Sequence, residues 1–112
     1  MESIRQKKVG KLIQKELGEW FREKNATEFP GTMISVTVVR VSADLSVAKV
    51  YLSIFPSEKS TTAFKKINEN NWLIRKELAG RIKKNLRIVP ELHFYIDDSL
   101  DYAHRIEELL KK

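Results

Sequence analysis

Between Asn70 and Asp101 the spacing of apolar residues changes once, and that change limits the possible folds more than any other feature of the chain. Leu73, Ile74, Leu78 and Ile82 recur at helical intervals. Val89-Pro90 then ends the helical stretch, because proline has no backbone N–H to donate. Leu92, Phe94 and Ile96 follow, alternating with His93 and Tyr95, which is strand periodicity. Upstream, Asn68-Glu69-Asn70-Asn71 is poor helix interior, since short amides compete for backbone hydrogen bonds, so a kink or change of helix is expected there.

The remaining elements fall into place around this helix-to-strand passage. Ser3-Ile4-Arg5-Gln6 fits a capping box and opens a helix whose stripe is Val9, Leu12, Ile13, Leu17, Trp20 and Phe21, ending near Asn25 before Phe29-Pro30-Gly31. Met33 to Val41 reads as a strand whose alternation slips, with Ile34, Val36 and Val38 on one side and Val39 and Val41 on the other, so a bulge is expected near Val38-Val39. Ser42 to Ser46 is turn chemistry. A second strand follows with Ala48, Val50, Leu52 and Ile54 inward, forming an antiparallel hairpin with the first. After Pro56, Ser57 or Ser60 caps a helix containing Ala63, Phe64 and Ile67, and Asp98 or Ser99 caps a last helix with Leu100, Ala103, Ile106 and Leu110 inward. The order helix, strand, strand, helix, helix, strand, helix predicts an α+β domain, a three-stranded sheet covered by helices. The helical crossover lets the third strand run parallel to one member of the hairpin. At 112 residues one domain is expected.

Charge is segregated along this scaffold. The formal net charge is +6, which favours a polyanionic partner. Residues 4–15 hold five Lys or Arg and no acid, and residues 73–87 hold six against Glu77 alone, whereas acids outnumber bases six to three from Val89 onward. No apolar run approaches the roughly 20 residues needed to span a bilayer, and Met1 to Lys11 has no apolar signal core. There is no cysteine, which excludes disulfides and thiolate metal sites and is compatible with a reducing cytoplasm.

On the first helix Lys8, Lys11, Lys15 and Arg22 lie opposite the apolar stripe, where a solvated face is the plain alternative to a binding role. On the later helix Lys76, Lys83 and Arg87 gather opposite its stripe with Trp72 beside them. An indole among cations suits single-stranded RNA, because bases stack on the ring while the cations hold phosphates; the alternative is that Trp72 packs under the neighbouring helix. Catalysis has little to work with: two histidines, no cysteine, no G-x-S-x-G and no phosphate-cradling glycine loop. The acids Asp97, Asp98, Asp101, Glu107 and Glu108, with His104, could meet a divalent ion, but acids at a helix start are accounted for by the helix dipole. No catalytic residue, cofactor or metal site is expected.

Several segments, in order, resemble the ribosome-binding factor A family of bacterial small-subunit assembly factors. They are the basic amino-terminal helix, Ser35 to Leu45, Ala48 to Ser53, Ile74-Arg75, Leu86 to Phe94 (LRIVPELHF), Asp97-Asp98-Ser99 and Arg105-Ile106. The resemblance covers nearly the whole chain. It implies a type II KH-like fold, a cytoplasmic and non-enzymatic protein, and binding to the small ribosomal subunit and its rRNA in late maturation. Processing of the 5′ end of the precursor rRNA and growth in the cold are implied with it. Members lack the G-x-x-G loop of true KH domains and usually carry A-x-G at the middle kink, where this sequence has Asn70-Asn71-Trp72. About two extra residues near Lys83-Lys84-Asn85 are expected to lengthen the basic helix by about half a turn.

These readings converge on an RNA interface made of Arg5, Lys8, Lys11 and Lys15 on the first helix, Asn70, Asn71 and Trp72 at the kink, and Arg75, Lys76, Arg81, Lys83, Lys84 and Arg87 beyond it. A monomer is expected, with ribosomal proteins as further contacts and no membrane partner. Two other classes stay open on residues alone: an adaptor whose basic faces dock acidic protein surfaces, and a metal-dependent hydrolase built on the carboxyl-terminal acids.

Overall fold

The computed structural model describes residues 2–97. The last expected helix and the acids from Asp98 to Glu108 lie outside the described residues.

Helix α1 (Ile4–Lys24) begins at the capping box read from the sequence. Ser3 Oγ accepts from the Gln6 N–H at 3.1 Å, and Gln6 Oε1 accepts from the Ser3 N–H at 2.7 Å. Its stripe of Val9, Ile13, Leu17, Trp20 and Phe21 is buried, and Leu12 packs at the margin. Strands β1 (Met33–Val41) and β2 (Val47–Phe55) form the antiparallel hairpin, and β3 (Glu91–Ile96) lies parallel to β2 on its other side. The sheet order is β1-β2-β3. Between β2 and β3 the chain crosses by way of α2 (Ser60–Glu69) and α3 (Asn71–Ile82). Ala48, Val50, Leu52 and Ile54 of β2 are buried with Leu92 and Phe94 of β3 and with Ile67, Ile74, Leu78 and Ile82 of the helices. Among the described residues, the helices cover one face of the sheet and none covers the other.

Three local expectations need correction. The bulge sits at Thr37, between the pairs Val36–Leu52 and Val38–Tyr51, rather than at Val38-Val39. Val38 is therefore turned outward and 37% exposed, because the extra residue precedes it. Neither Ser57 nor Ser60 caps α2 through its side chain: a 3-10 turn, Ser57–Lys59, runs straight into the helix, and Ser60 Oγ donates to Ser57 O at 2.6 Å. Finally, α3 stops at Ile82, so Lys83 to Pro90 is turn and loop rather than an extended basic helix. The break at Asn70 is as expected, its side-chain Nδ2 donating to Lys66 O at 2.8 Å.

One helix stripe absent from the apolar pattern fixes the seating of α1. Gln6, Gly10 and Gln14 are four residues apart, hence on one side of the helix. Gln6 Nε2 donates to Val41 O at 2.8 Å and Gln14 Nε2 to Thr37 O at 3.0 Å. Between them Gly10 lies so near β1 that a Cβ there would stand 3.1 Å from Val39 O. Gly18, about two turns beyond Gly10, has open space around it. Gly10→Val is expected to lower unfolding stability by ~1–3 kcal/mol, because a branched side chain forces helix and strand apart. Gly18→Ala is expected to raise it by ~0.5–1 kcal/mol through helix propensity. Urea denaturation of the two variants checks both signs.

Candidate nucleic-acid interface

The kink between α2 and α3 places Trp72 in the first turn of α3 with two-thirds of its surface exposed. The asparagines flanking the break are taken up by the fold. Asn71 Nδ2 donates to Leu92 O at 2.9 Å, tying α3 to β3, while Asn70 holds Lys66 O. Trp72 is thus presented by a braced corner. Packing under the neighbouring helix, the alternative open from sequence, does not occur.

A groove of about 440 Å³ runs from Trp72 past Arg75, Lys76, Ala79 and Lys83 to Leu86, Arg87 and Val89. Lys76, Lys83, Lys84 and Arg87 are exposed, and none is ion-paired with an acid among the described residues. Arg75 differs from them: its Nη2 donates to Val89 O at 2.7 Å and holds the loop after α3 against the helix. It lines the groove while its guanidinium is partly committed. Helix α3 thus contributes Trp72 and Lys76, and the turn beyond it contributes Lys83, Lys84 and Arg87.

Arg81 leaves the set of free cations. Its guanidinium pairs with Glu23 and lies 4.0 Å from Glu16, both on α1. Beside it the Trp20 indole N–H donates to Glu77. Together these contacts make the polar rim of the α1–α3 interface, and Arg81 offsets part of the negative charge that Glu16 and Glu23 bring to α1.

On α1, Arg5, Lys8, Lys11 and Lys15 are exposed and carry no ion pair among the described residues. Lys11 and Lys15 line a groove of about 520 Å³ with Gln14, Gly18, Arg22 and the β1 residues Ile34, Ser35 and Val36. Arg22, visible on the lysine stripe in sequence, joins the site here. Arg5 instead shares a smaller groove with Arg87, Ile88, Pro90 and the hairpin turn. The two cationic surfaces therefore meet at the end of the molecule where Asp44 sits. Asp44 Oδ1 accepts from Ser42 Oγ, Ser46 Oγ and Ser46 N–H, and the hydroxyl bonds to Ser46 and Ser42 hold its carboxyl down at about 2. No groups of three or more potential metal-ligating residues occur among the described residues. Nor, among them, is any helix long and apolar enough to cross a membrane.

An α+β KH-like domain with an exposed tryptophan in a cationic groove is the class that fold and surface define. The family model for ribosome-binding factor A matches residues 5–110. Curated relatives of that name include those of Cytophaga hutchinsonii, 46% identical over all of this chain and 84% of its own, and Christiangramia forsetii, 47% identical over 98% and 85%. The chain belongs to the ribosome-binding factor A family. Among solved structures, the crystal structure of the Thermus thermophilus protein superposes with a TM-score of 0.66 at 23% identity, covering 81% of this chain and 94% of that one, and shares the fold. A second set of Thermus thermophilus coordinates, a homology model fitted into the cryo-electron-microscopy map of a 30S complex, has a TM-score of 0.60 at 27% identity over 78% and 93%.

Arg81→Glu is expected to lower the melting temperature by about 4–8 °C for each kcal/mol lost, since it sets a third acid against Glu16 and Glu23. Lys83→Glu should leave it unchanged. The Asp44 carboxyl, lowered from 3.8 to about 2 by the fold, contributes stability that is complete above its ordinary value and lost as pH falls toward about 2. Asp44→Asn should therefore flatten that acid limb of the stability curve, read by denaturant titration at several pH values.

Proposed function

We propose that this protein is a non-catalytic assembly factor that binds the small ribosomal subunit and its rRNA during late maturation. The observation that carries the reading is the braced, exposed Trp72 beside Lys76, Lys83 and Arg87, none of them neutralised by a described acid. A base stacks on the indole while phosphates meet the surrounding cations, the combination that recognises unpaired RNA. Lys84 extends the same cationic turn, and Arg5, Lys8, Lys11 and Lys15 continue it across α1 by way of the Arg5–Arg87 groove. Family membership and the 30S complex of the Thermus thermophilus relative support the small subunit as the partner. In this reading the protein acts in the cytoplasm as a monomer of one domain and needs no cofactor. It helps mature the 5′ end of the precursor rRNA, and its loss is felt most in the cold. Ribosomal proteins bordering the rRNA site are secondary contacts.

Adding Lys83→Glu, Lys84→Glu and Arg87→Glu together should abolish cosedimentation with small subunits while leaving the circular dichroism spectrum intact. Wild-type affinity should fall linearly with the logarithm of salt concentration, with a slope set by the number of phosphates contacted. Cosedimentation of the triple variant at wild-type level would mean the groove is assigned wrongly. Association of the wild type that survives nuclease digestion of the RNA would favour docking to a protein surface instead.

A further inference from the structure

Two glycines interrupt the interior of α1, and the fold gives a reason for only one. Gly10 makes way for Val39 O, whereas nothing lies within 4 Å of a Cβ built on Gly18. The Gly18 backbone is ordinary helix, so no left-handed conformation calls for glycine there. Glycine at such a position is destabilising, because it loses more backbone freedom on folding than any other residue. Gly18 does line the groove of about 520 Å³ between α1 and β1, and a side chain there would project into it. Gly80 of α3, the other helical glycine with open space, also adjoins cations: it follows Lys76 by four residues and precedes Lys83 by three.

We infer that the α1–β1 groove is a second RNA-contacting site, which takes the sugar–phosphate backbone of a strand passing close over Gly18. Lys11 and Lys15 precede the glycine and Arg22 follows it by about one turn, all three on the groove wall. They are exposed and carry no ion pair among the described residues. Together they extend over roughly 16 Å of helix axis, a length that spans several phosphates of a strand. No acid is among the lining residues. Glu16 and Glu23 are turned to Arg81, and Glu19, the remaining acid of this helix, is partly buried outside the lining.

A phosphate backbone, rather than a base or a protein, suits this lining. A stacked base needs an aromatic face, and no aromatic residue lines the groove. A protein partner needs an apolar anchor at the centre of its interface, but Ile34 is buried in the core and Val36 packs against it. What remains in reach is three cations and a bare stretch of helix, on which a phosphodiester gains charge-assisted contacts whatever its sequence. The site is distinct from the Trp72 groove: Lys11, Lys15 and Arg22 lie beside the edge strand β1, whereas Arg81 of α3 meets α1 at Glu16 and Glu23. The inference rests on the RNA-binding reading above, to which it adds Gly18 and Arg22.

The test uses the full chain with a short single-stranded oligouridylate, read by fluorescence anisotropy over a range of salt concentrations. Gly18→Leu keeps every charge and favours the helix more than glycine does. It should nevertheless weaken binding, and flatten the slope of log affinity against log salt by about 0.7 for each phosphate pushed out of reach. Gly18→Ala, whose methyl projects least, should fall between Gly18→Leu and the wild type. Arg22→Gln should flatten the slope by about 0.7, and it carries the test should urea denaturation show Gly18→Leu to be unfolded. The Lys83→Glu, Lys84→Glu, Arg87→Glu variant is measured alongside. Affinity and salt slope of the folded Gly18→Leu equal to those of the wild type, or of Arg22→Gln in its place, overturn the inference and leave the Trp72 groove standing. Loss on Gly18→Leu with no loss on the triple reversal upholds the inference and overturns the Trp72 groove instead. A wild-type chain that does not bind the oligouridylate at all overturns the RNA-binding reading and this inference with it.

Discussion

The seam between α1 and β1 sets the geometry of everything that follows. Three successive outward carbonyls of β1, those of Thr37, Val39 and Val41, face one stripe of the helix. Gln14 and Gln6 satisfy the outer two, and Gly10 gives way to the middle one. An edge strand left with bare acceptors is a template for unwanted pairing, and covering it with a helix is one of the accepted remedies. Here the remedy also fixes the rotation of α1 about its axis. That rotation sends Trp20 and Phe21 into the core and turns Glu16 and Glu23 toward α3, where Arg81 meets them. It leaves Lys8, Lys11 and Lys15 to solvent. The basic face is kept in part because Glu16 and Glu23 of the same helix are turned to Arg81.

A second brace works on α3. Its amino-terminal end is held to β3 by Asn71, and the loop after its carboxyl-terminal end is held by Arg75 through Val89 O. Between these anchors a bulky indole is presented to water at little conformational cost, because the backbone under it is fixed before any partner arrives. Asparagine in place of the glycine-bearing kink motif of the family keeps the break and adds side-chain hydrogen bonds to it. The corner is thus made rigid by amides, where a glycine would have allowed a closer approach of the backbone.

Much of the architecture was legible in the residues because it rests on local rules. The capping box at Ser3, the strand limits from Met33 to Val41, the inward set of β2 and the break at Asn70 each depend on neighbours within a few positions. The departures from local pattern have a common origin. The position of the bulge is hidden in the residues because both phases of the alternation run through valines, and only pairing with β2 shows that Thr37 is the extra residue. The residues predict a longer α3 than the Asn71–Ile82 helix that forms, because Lys83, Lys84 and Arg87 are good helix formers. Yet the chain must turn there to bring Leu92 and Phe94 back alongside β2.

The same division holds for the site. Sequence alone determined the charge segregation and the stripe opposing Val9 and Leu17, because helical period and composition are one-dimensional properties. The company of Trp72 with Lys83 and Arg87, expected from a longer helix, is supplied by the turn after α3 instead. Only the tertiary structure decided which cations are free. Arg81 is equivalent to its neighbours by type and spacing, but it faces Glu16 and Glu23, fifty-odd and more residues away, and is neutralised. The groove of Lys11, Lys15, Gly18 and Arg22, conversely, exists only through the seating of α1 on β1, which sets them beside residues 34–36 that no local pattern connects to them.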